Sequence, residues 1–341
     1  SDPEVDIVVE TIGGATVALD YTRRALEAGK SVVTSNKELV AAHGYDLLQL
    51  AKSKGVSYLF EASVGGGIPI IRPLSQCLAA NDILEIYGIL NGTTNYILTR
   101  MIRAGLPFET ALKEAQDNGY AERDPSADIE GHDACRKICI LAAIAFGRHV
   151  YPEQVPTEGI TGVTLADVDY AGAAGKKIKL LGRAVRMEDG KVCAYVAPHL
   201  VDDSHPLAGV DDVFNGISVR GDAIGDVMFY GRGAGKLPTA SAVVADIIDA
   251  AKHIGSRKYL EWAPGGADVV CSTERLRSCW YVRANAGDDE LRAALGDVTL
   301  LTRSGAPAGE SACITGAAMS RGELDERLRG LDCLSVFRVL N

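Results

Sequence analysis

The chain has 341 residues, 47% hydrophobic and 23% charged, a composition that suits a folded protein of two or three domains. A formal net charge of −10 argues against partners such as nucleic acid or an anionic membrane surface, and no uncharged apolar run approaches the length of a bilayer span. The eight cysteines form no Cys-x-x-Cys and no metal-like cluster, so reduced packing thiols in a cytoplasmic protein are expected.

Residues 5–10, VDIVVE, read as a short buried strand. Ile12, Gly13 and Gly14 turn the chain into a helix that Gly29 stops. Strand 31–34, helix 38–53 and strand 56–60 follow with short connections. That alternation builds right-handed βαβ units on a parallel sheet. It reads as the second half of a doubly wound nucleotide fold, because the Gly-x-Gly-x-x-Gly turn of the first half is missing. The chain opens on Ser, carries no signal or transit pattern, and is expected to begin partway through that domain. A look-alike glycine run, Gly231, Gly233 and Gly235, lies far downstream, ahead of an expected helix at 239–254.

Residues 61–69, EASVGGGIP, carry three consecutive glycines. They form either a plain tight turn or a loop whose backbone lines a ligand or ion. A helix at about 69–80 and a strand at 83–90 come next, then the turn NGTTN, where Thr93 or Thr94 can cap a helix reaching residue 104. The richest stretch is 119–145, GYAERDPSADIEGHDACRKICILAAIA, in which a charged approach runs into an almost wholly apolar helix. A helix apolar all round is buried, so Asp133 and Lys137 stand where surface gives way to interior, four residues apart on one face. Two readings stand on this segment alone. One is an i,i+4 surface pair worth roughly 0.3–0.5 kcal/mol. The other is a lysine held beside carboxylates, as proton transfer or recognition of a charged amino acid requires.

After residue 150 the pattern turns to alternating strands, with a hairpin signal at Asp189-Gly190, which gives a central mixed sheet. Pro264, Gly265 and Gly266 mark a linker that would let a separate C-terminal unit move. Residues 279–341 then read strand, helix, strand, strand, helix, strand, the ferredoxin-like order.

Four runs, VVTSNKELV (32–40), FEASVGGGIPII (60–71), GILNGTTNYILTRM (88–101) and GYAERDPSADIEGHDACRKICILA (119–142), stand in one order, and through them the chain resembles the homoserine dehydrogenases over 5–255. The C-terminal unit looks like an ACT domain. The ACT family's Asp-x-Pro-Gly turn is replaced by Asn285, Ala286, Gly287 and Asp288, so a dimerising or vestigial role is favoured over effector sensing, the alternative being that Asn285 and Gly287 form an equivalent left-handed turn.

The resemblance implies a partial Rossmann-type parallel sheet at 1–60 and a catalytic and dimerisation domain at 61–255, with helix 239–254 returning to the nucleotide domain. An ACT-like domain occupies 270–341. It also implies an enzyme interconverting L-homoserine and L-aspartate 4-semialdehyde with NADPH or NADH, active as a homodimer or homotetramer. Lys137 resembles the acid–base residue and Lys37 its partner beside the nicotinamide. Glu122, Asp133, Asp128 and Tyr120 match substrate-binding positions. Thr11, Gly13, Lys37 and Gly233 match dinucleotide contacts, and Glu61, Val64, Gly66 and Ile68 match a monovalent-cation site for Na or K. The reading from a different class is a non-catalytic amino-acid-binding regulator that works through the ACT-like unit.

Overall fold

The computed structural model describes residues 2–255 and 260–340. The first sixty residues form β1 (Ile7–Glu10), α1 (Thr16–Glu27), β2 (Ser31–Thr34), α2 (Lys37–Ser53) and β3 (Tyr58–Leu59). The strands lie in order β1-β2-β3 and all pairs are parallel, Val8 opposite Val32 and Val32 opposite Tyr58, as the βαβ reading requires. β2 is buried throughout, but Val9 of β1 is exposed. The expected burial of 5–10 fails there, Ile7 and Val8 being half-buried and Glu10 alone of the strand buried. The side chain of Asn36 caps α2 by accepting from the Leu39 amide.

The centre runs β4 (Ile83–Ile89), α3 (Gly92–Ala104), α4 (Phe108–Asp117), α5 (Ser126–Ile129), α6 (His132–Phe146), α7 (Leu165–Ala173), β5 (Lys176–Arg186), β6 (Val192–Asp202), β7 (Phe214–Gly221), β8 (Gly225–Arg232) and α8 (Lys236–Lys252). The helix expected at 69–80 shrinks to a π-helical stretch, Pro73–Cys77. The amides of Ile70, Ile71 and Arg72 ahead of it are taken by the Glu61 carboxylate. β5 and β6 pair along their length across a turn with Gly190 at φ +77°, as the hairpin signal indicates. α6 lies against β4, β5 and β6 with Ala134, Cys135 and all of residues 137–143 buried. α8 returns to the small sheet, where Ala242 and Val243 pack on Val33 and Ala62.

The last elements are β9 (Trp280–Asn285), α9 (Asp288–Leu295), β10 (Val298–Leu301), β11 (Glu310–Thr315), α10 (Arg321–Arg327) and β12 (Asp332–Val339). Their strand order, β10-β11-β9-β12, is ferredoxin-like, but the unit is not separate. β12 pairs in parallel with β6, Arg338 opposite His199 and Val339 opposite Leu200, so one nine-stranded mixed sheet runs through both parts. Tyr281, Ala312, Phe337 and Val339 belong to the main core. A buried charge network closes the joint. Arg283 reaches Asp167 of α7 (2.8 Å), Glu310 (2.9 Å) and Ser335 (3.2 Å), and Tyr281 donates to Asp167. A linker that lets 279–341 move freely is therefore corrected. Gly287 sits at φ −74°, so the competing left-handed turn does not form.

Among the described residues no helix is long and apolar enough to cross a membrane, and no group of three or more His, Cys, Asp or Glu side chains could hold a metal ion.

Candidate active site

α6 begins at a point only glycine serves well. Gly131 has φ +87°, and a Cβ there would stand 2.9 Å from the Thr157 methyl. Asp133 falls in the first turn, where a carboxylate meets the positive end of the helix. One turn on, Lys137 points back along the same face. Both side chains are buried, 5% and 7% exposed, which removes the surface-pair reading.

Asp133 is the hub. Its Oδ2 accepts from Lys137 Nζ (2.6 Å) and from Asn91 Nδ2 (2.8 Å), and its Oδ1 lies 3.0 Å from Lys37 Nζ. Burial alone would raise its pKa, but Lys137, Lys37 and the hydrogen bonds from Lys137 and Asn91 outweigh it and hold the carboxyl far below the usual carboxylate range. For Lys37, burial works against the charged form, and Asp133 outweighs it and raises the pKa. Lys137 also donates to the carbonyl of Leu90 at 2.7 Å. An ammonium has three N–H donors, so two are committed and one is left for a reacting oxygen. Lys37 opens α2 and is partly exposed, so it faces the space outside the small sheet.

Asp128 joins the cluster through the same amide, with Asn91 Nδ2 at 2.7 Å from its Oδ1. Burial raises its pKa, with a further push from Asp133. Tyr120 is exposed beside it. Its carbonyl accepts from Thr93 Oγ1 (2.7 Å) and its ring leans on Tyr96, centroids 4.9 Å apart. Glu122 is exposed, and among the described residues its carboxylate has no hydrogen-bond partner; its carbonyl accepts from Gln116. Sequence reasoning missed Asn91 and the Leu90 carbonyl. It gave the α3 cap to Thr93 or Thr94, whereas Asn91 Oδ1 takes the Thr94 amide at 2.8 Å. The signal was available, since Asn outranks Thr at this position.

The dinucleotide candidates divide. Thr11 and Gly13 follow β1 at the carboxyl edge of the parallel sheet, where doubly wound folds take their ligands. Asn36 fixes this turn by donating to the Gly14 carbonyl (2.7 Å), and nothing lies within 4 Å of a Cβ placed on Gly13 or Gly14. The turn and Lys37 thus fit part of a dinucleotide. A Gly-x-Gly-x-x-Gly cradle for the phosphates occurs nowhere in the 341 residues. Gly233 follows β8, ahead of α8. A Cβ on Gly66 would stand 2.5 Å from its carbonyl, so it packs on the glycine loop that follows β3.

That loop holds the four cation candidates. Gly66 takes φ +54°, and Glu61, Val64, Gly66 and Ile68 are all buried. The Glu61 carboxylate is filled by three backbone amides, so it serves the fold first. Among the described residues the carbonyls of Val64, Gly66 and Ile68 accept no turn or side-chain hydrogen bond. Buried, unpaired carbonyl oxygens fit a hard monovalent cation, as Na or K would be.

A partial dinucleotide sheet is thus joined to a larger mixed sheet, with two lysines converging on one buried aspartate, as in an oxidoreductase acting on a small polar substrate. Residues 69–248 match the family described as homoserine dehydrogenase, and residues 1–61 match its NAD binding domain. The chain belongs to the homoserine dehydrogenase family. It is 47% identical over 253 residues to homoserine dehydrogenase of Bacillus subtilis, covering 74% of this chain and 58% of that protein's length. The chain therefore spans less than two thirds of that relative. The crystal structure of a homoserine dehydrogenase from Thiobacillus denitrificans superposes with a TM-score of 0.90 at 36% identity, over 99% of this chain and 83% of the other. A hyperthermophilic archaeal homoserine dehydrogenase in complex with NADPH superposes with a TM-score of 0.64 at 33% identity, over 75% and 73% of the two chains.

Proposed function

We propose that the whole protein interconverts L-homoserine and L-aspartate 4-semialdehyde with NADPH or NADH, a step of threonine and methionine biosynthesis. The observation that carries this is Asp133 gripped by Lys37 and Lys137 at the junction of the two sheets. A bound nicotinamide supplies the hydride. The remaining N–H of Lys137 donates to the substrate oxygen and delivers the proton that turns an alkoxide into an alcohol. Asp133 aims Lys137 through their 2.6 Å contact, and Lys37 closes the site on the nucleotide side. Asp128, Glu122 and Tyr120 form the rim that takes the amino acid, with a carboxylate for its ammonium. Thr11, Gly13 and Gly233 are read as further dinucleotide contacts. A regulator that only bound an amino acid would need the carboxylates but not two lysines on one buried acid.

The direct test is semialdehyde-dependent oxidation of NADPH by the full-length protein; absence of turnover with either nucleotide sinks the reading. Within it, Glu122→Gln is expected to raise KM for homoserine with kcat nearly retained, because an exposed carboxylate contributes the same binding to ground and transition states. A fall in kcat alone would move Glu122 into the chemistry.

The glycine loop is read as a monovalent-cation site made of carbonyls. Activity is expected to fall when choline replaces sodium or potassium, and equal rates in all three salts would leave the loop a plain turn. The protein is placed in the cytoplasm, consistent with eight free thiols among the described residues. It is read as a homodimer or homotetramer, with β8 a free sheet edge carrying exposed Tyr230.

A further inference from the structure

We propose that Asn91 is a positioning residue that sets Asp128 and Asp133 at a fixed spacing, one amide nitrogen donating to both carboxylates while the amide oxygen caps α3; the inference rests on the homoserine dehydrogenase reading. An amide NH2 has two donors, and here both are used, at 2.7 Å to Asp128 and 2.8 Å to Asp133. The oxygen is committed the other way, to the Thr94 amide (2.8 Å) and hydroxyl (3.0 Å). This orientation is forced. A flipped amide would turn its oxygen on two carboxylates and its NH2 on a backbone amide.

Without the bridge the two carboxylates lose the donor they share. Asp133 keeps its two lysines, but Asp128 has no ion pair among the described residues. The charged groups around the pair are Lys37 and Glu38 from α2 and Lys137 and Arg136 from α6, with Arg136 turned to Glu38 at 3.3 Å. Burial and Asp133 push the Asp128 carboxyl up, and Asn91 is the leading group that opposes them, ahead of Lys137 and Thr93. An ionised Asp128 beside the Lys137 ammonium is the arrangement that receives an amino acid's own ammonium while presenting its other end to Lys137. The rigid α3 cap carries that spacing into the site.

The experiment uses Asn91→Ser and Asn91→Asp in the full-length protein. Both keep a good α3 cap, since Ser and Asp rank with Asn there. Aspartate removes both donors, and serine, with one O–H on a shorter side chain, cannot donate to both carboxylates at once. In Asn91→Ser the melting temperature and KM for NADPH should stay near wild type, while Asn91→Asp, which adds a third carboxylate to the cluster, should also lower the melting temperature. In both, kcat/KM for homoserine falls by roughly 10²-fold, the size of an effect from a misplaced reacting group. The acid limb of kcat/KM should move to higher pH in both. A carboxyl with a raised pKa loses its charge sooner as pH falls. Carbon-13 titration of labelled aspartates gives a readout without turnover, with Asp128 titrating at higher pH in Asn91→Ser than in wild type. If wild type turns over and both variants match it in kcat/KM and pH profile, Asn91 is only a cap and the proposal is overturned. If wild type shows no turnover, the functional reading fails and the Asp128 titration alone decides the positioning role, an unchanged Asp128 overturning it.

Discussion

Replacing Lys137 with alanine is expected to lower kcat by roughly 10²–10⁴ in the full-length enzyme, the usual size of a general acid–base contribution. The KM for homoserine should change less, because the carboxylates that take the substrate remain. Two features make the effect large. The ammonium is held at 2.6 Å by Asp133 and at 2.7 Å by the Leu90 carbonyl, so its remaining donor has a fixed direction. The site is also buried, so water is a poor substitute as a proton donor. Lys37→Ala should be milder, because Lys37 is partly exposed and leaves Lys137 paired to the same acid. Steady-state kinetics of the two variants decide the order. A larger loss of kcat in Lys37→Ala would exchange their roles.

Replacing Arg283 with alanine is expected to destabilise the whole chain by about 3–5 kcal/mol, the range for breaking a buried ion pair from one side. Asp167 has no exposed surface, and Arg283 is its cationic partner. Arg303 still pairs with Glu310 at 2.8 Å, so Asp167 is the group left stranded. Arg283→Lys should recover only part, since an ammonium cannot reproduce the guanidinium fork that spans Asp167 and Glu310. Because β6 and β12 share one sheet, denaturant unfolding should show residues 279–340 and the centre losing structure together. A variant in which the C-terminal unit melts alone, with the centre unmoved, would restore the separate-domain reading.

Much of this was open to inspection in the sequence. The βαβαβ order of the first sixty residues rests on short-range signals, namely β-branched runs, Gly29 and Gly55 after helices, and spacings too short for any other connection. The pairing of Asp133 with Lys137 is likewise local, since four residues along a helix place side chains on one face whatever surrounds them. The apolar stretch that follows shows that this face leads into an interior. The ferredoxin-like order of 279–341 is read the same way, from the alternation of its elements.

What the sequence by itself determined is therefore the identity and order of the elements, the Asp133–Lys137 pair, and the glycine loop after β3. Only the tertiary structure decided which distant groups complete the site and how the parts join. Lys37 stands 96 residues from Asp133 and Asn91 stands 42 residues from it, and no periodicity links them. They meet because α2 packs on α6 and Asn91, at the start of α3, donates to Asp133. Three backbone amides claim the Glu61 carboxylate, a role that depends on how the chain re-enters after the glycines. The linker at 264–266 suggested independence, yet β12 finds its neighbour in β6. A parallel pairing between strands some 140 residues apart is set by shape and by the burial of Arg283 against Asp167, and neither leaves a local trace in the sequence.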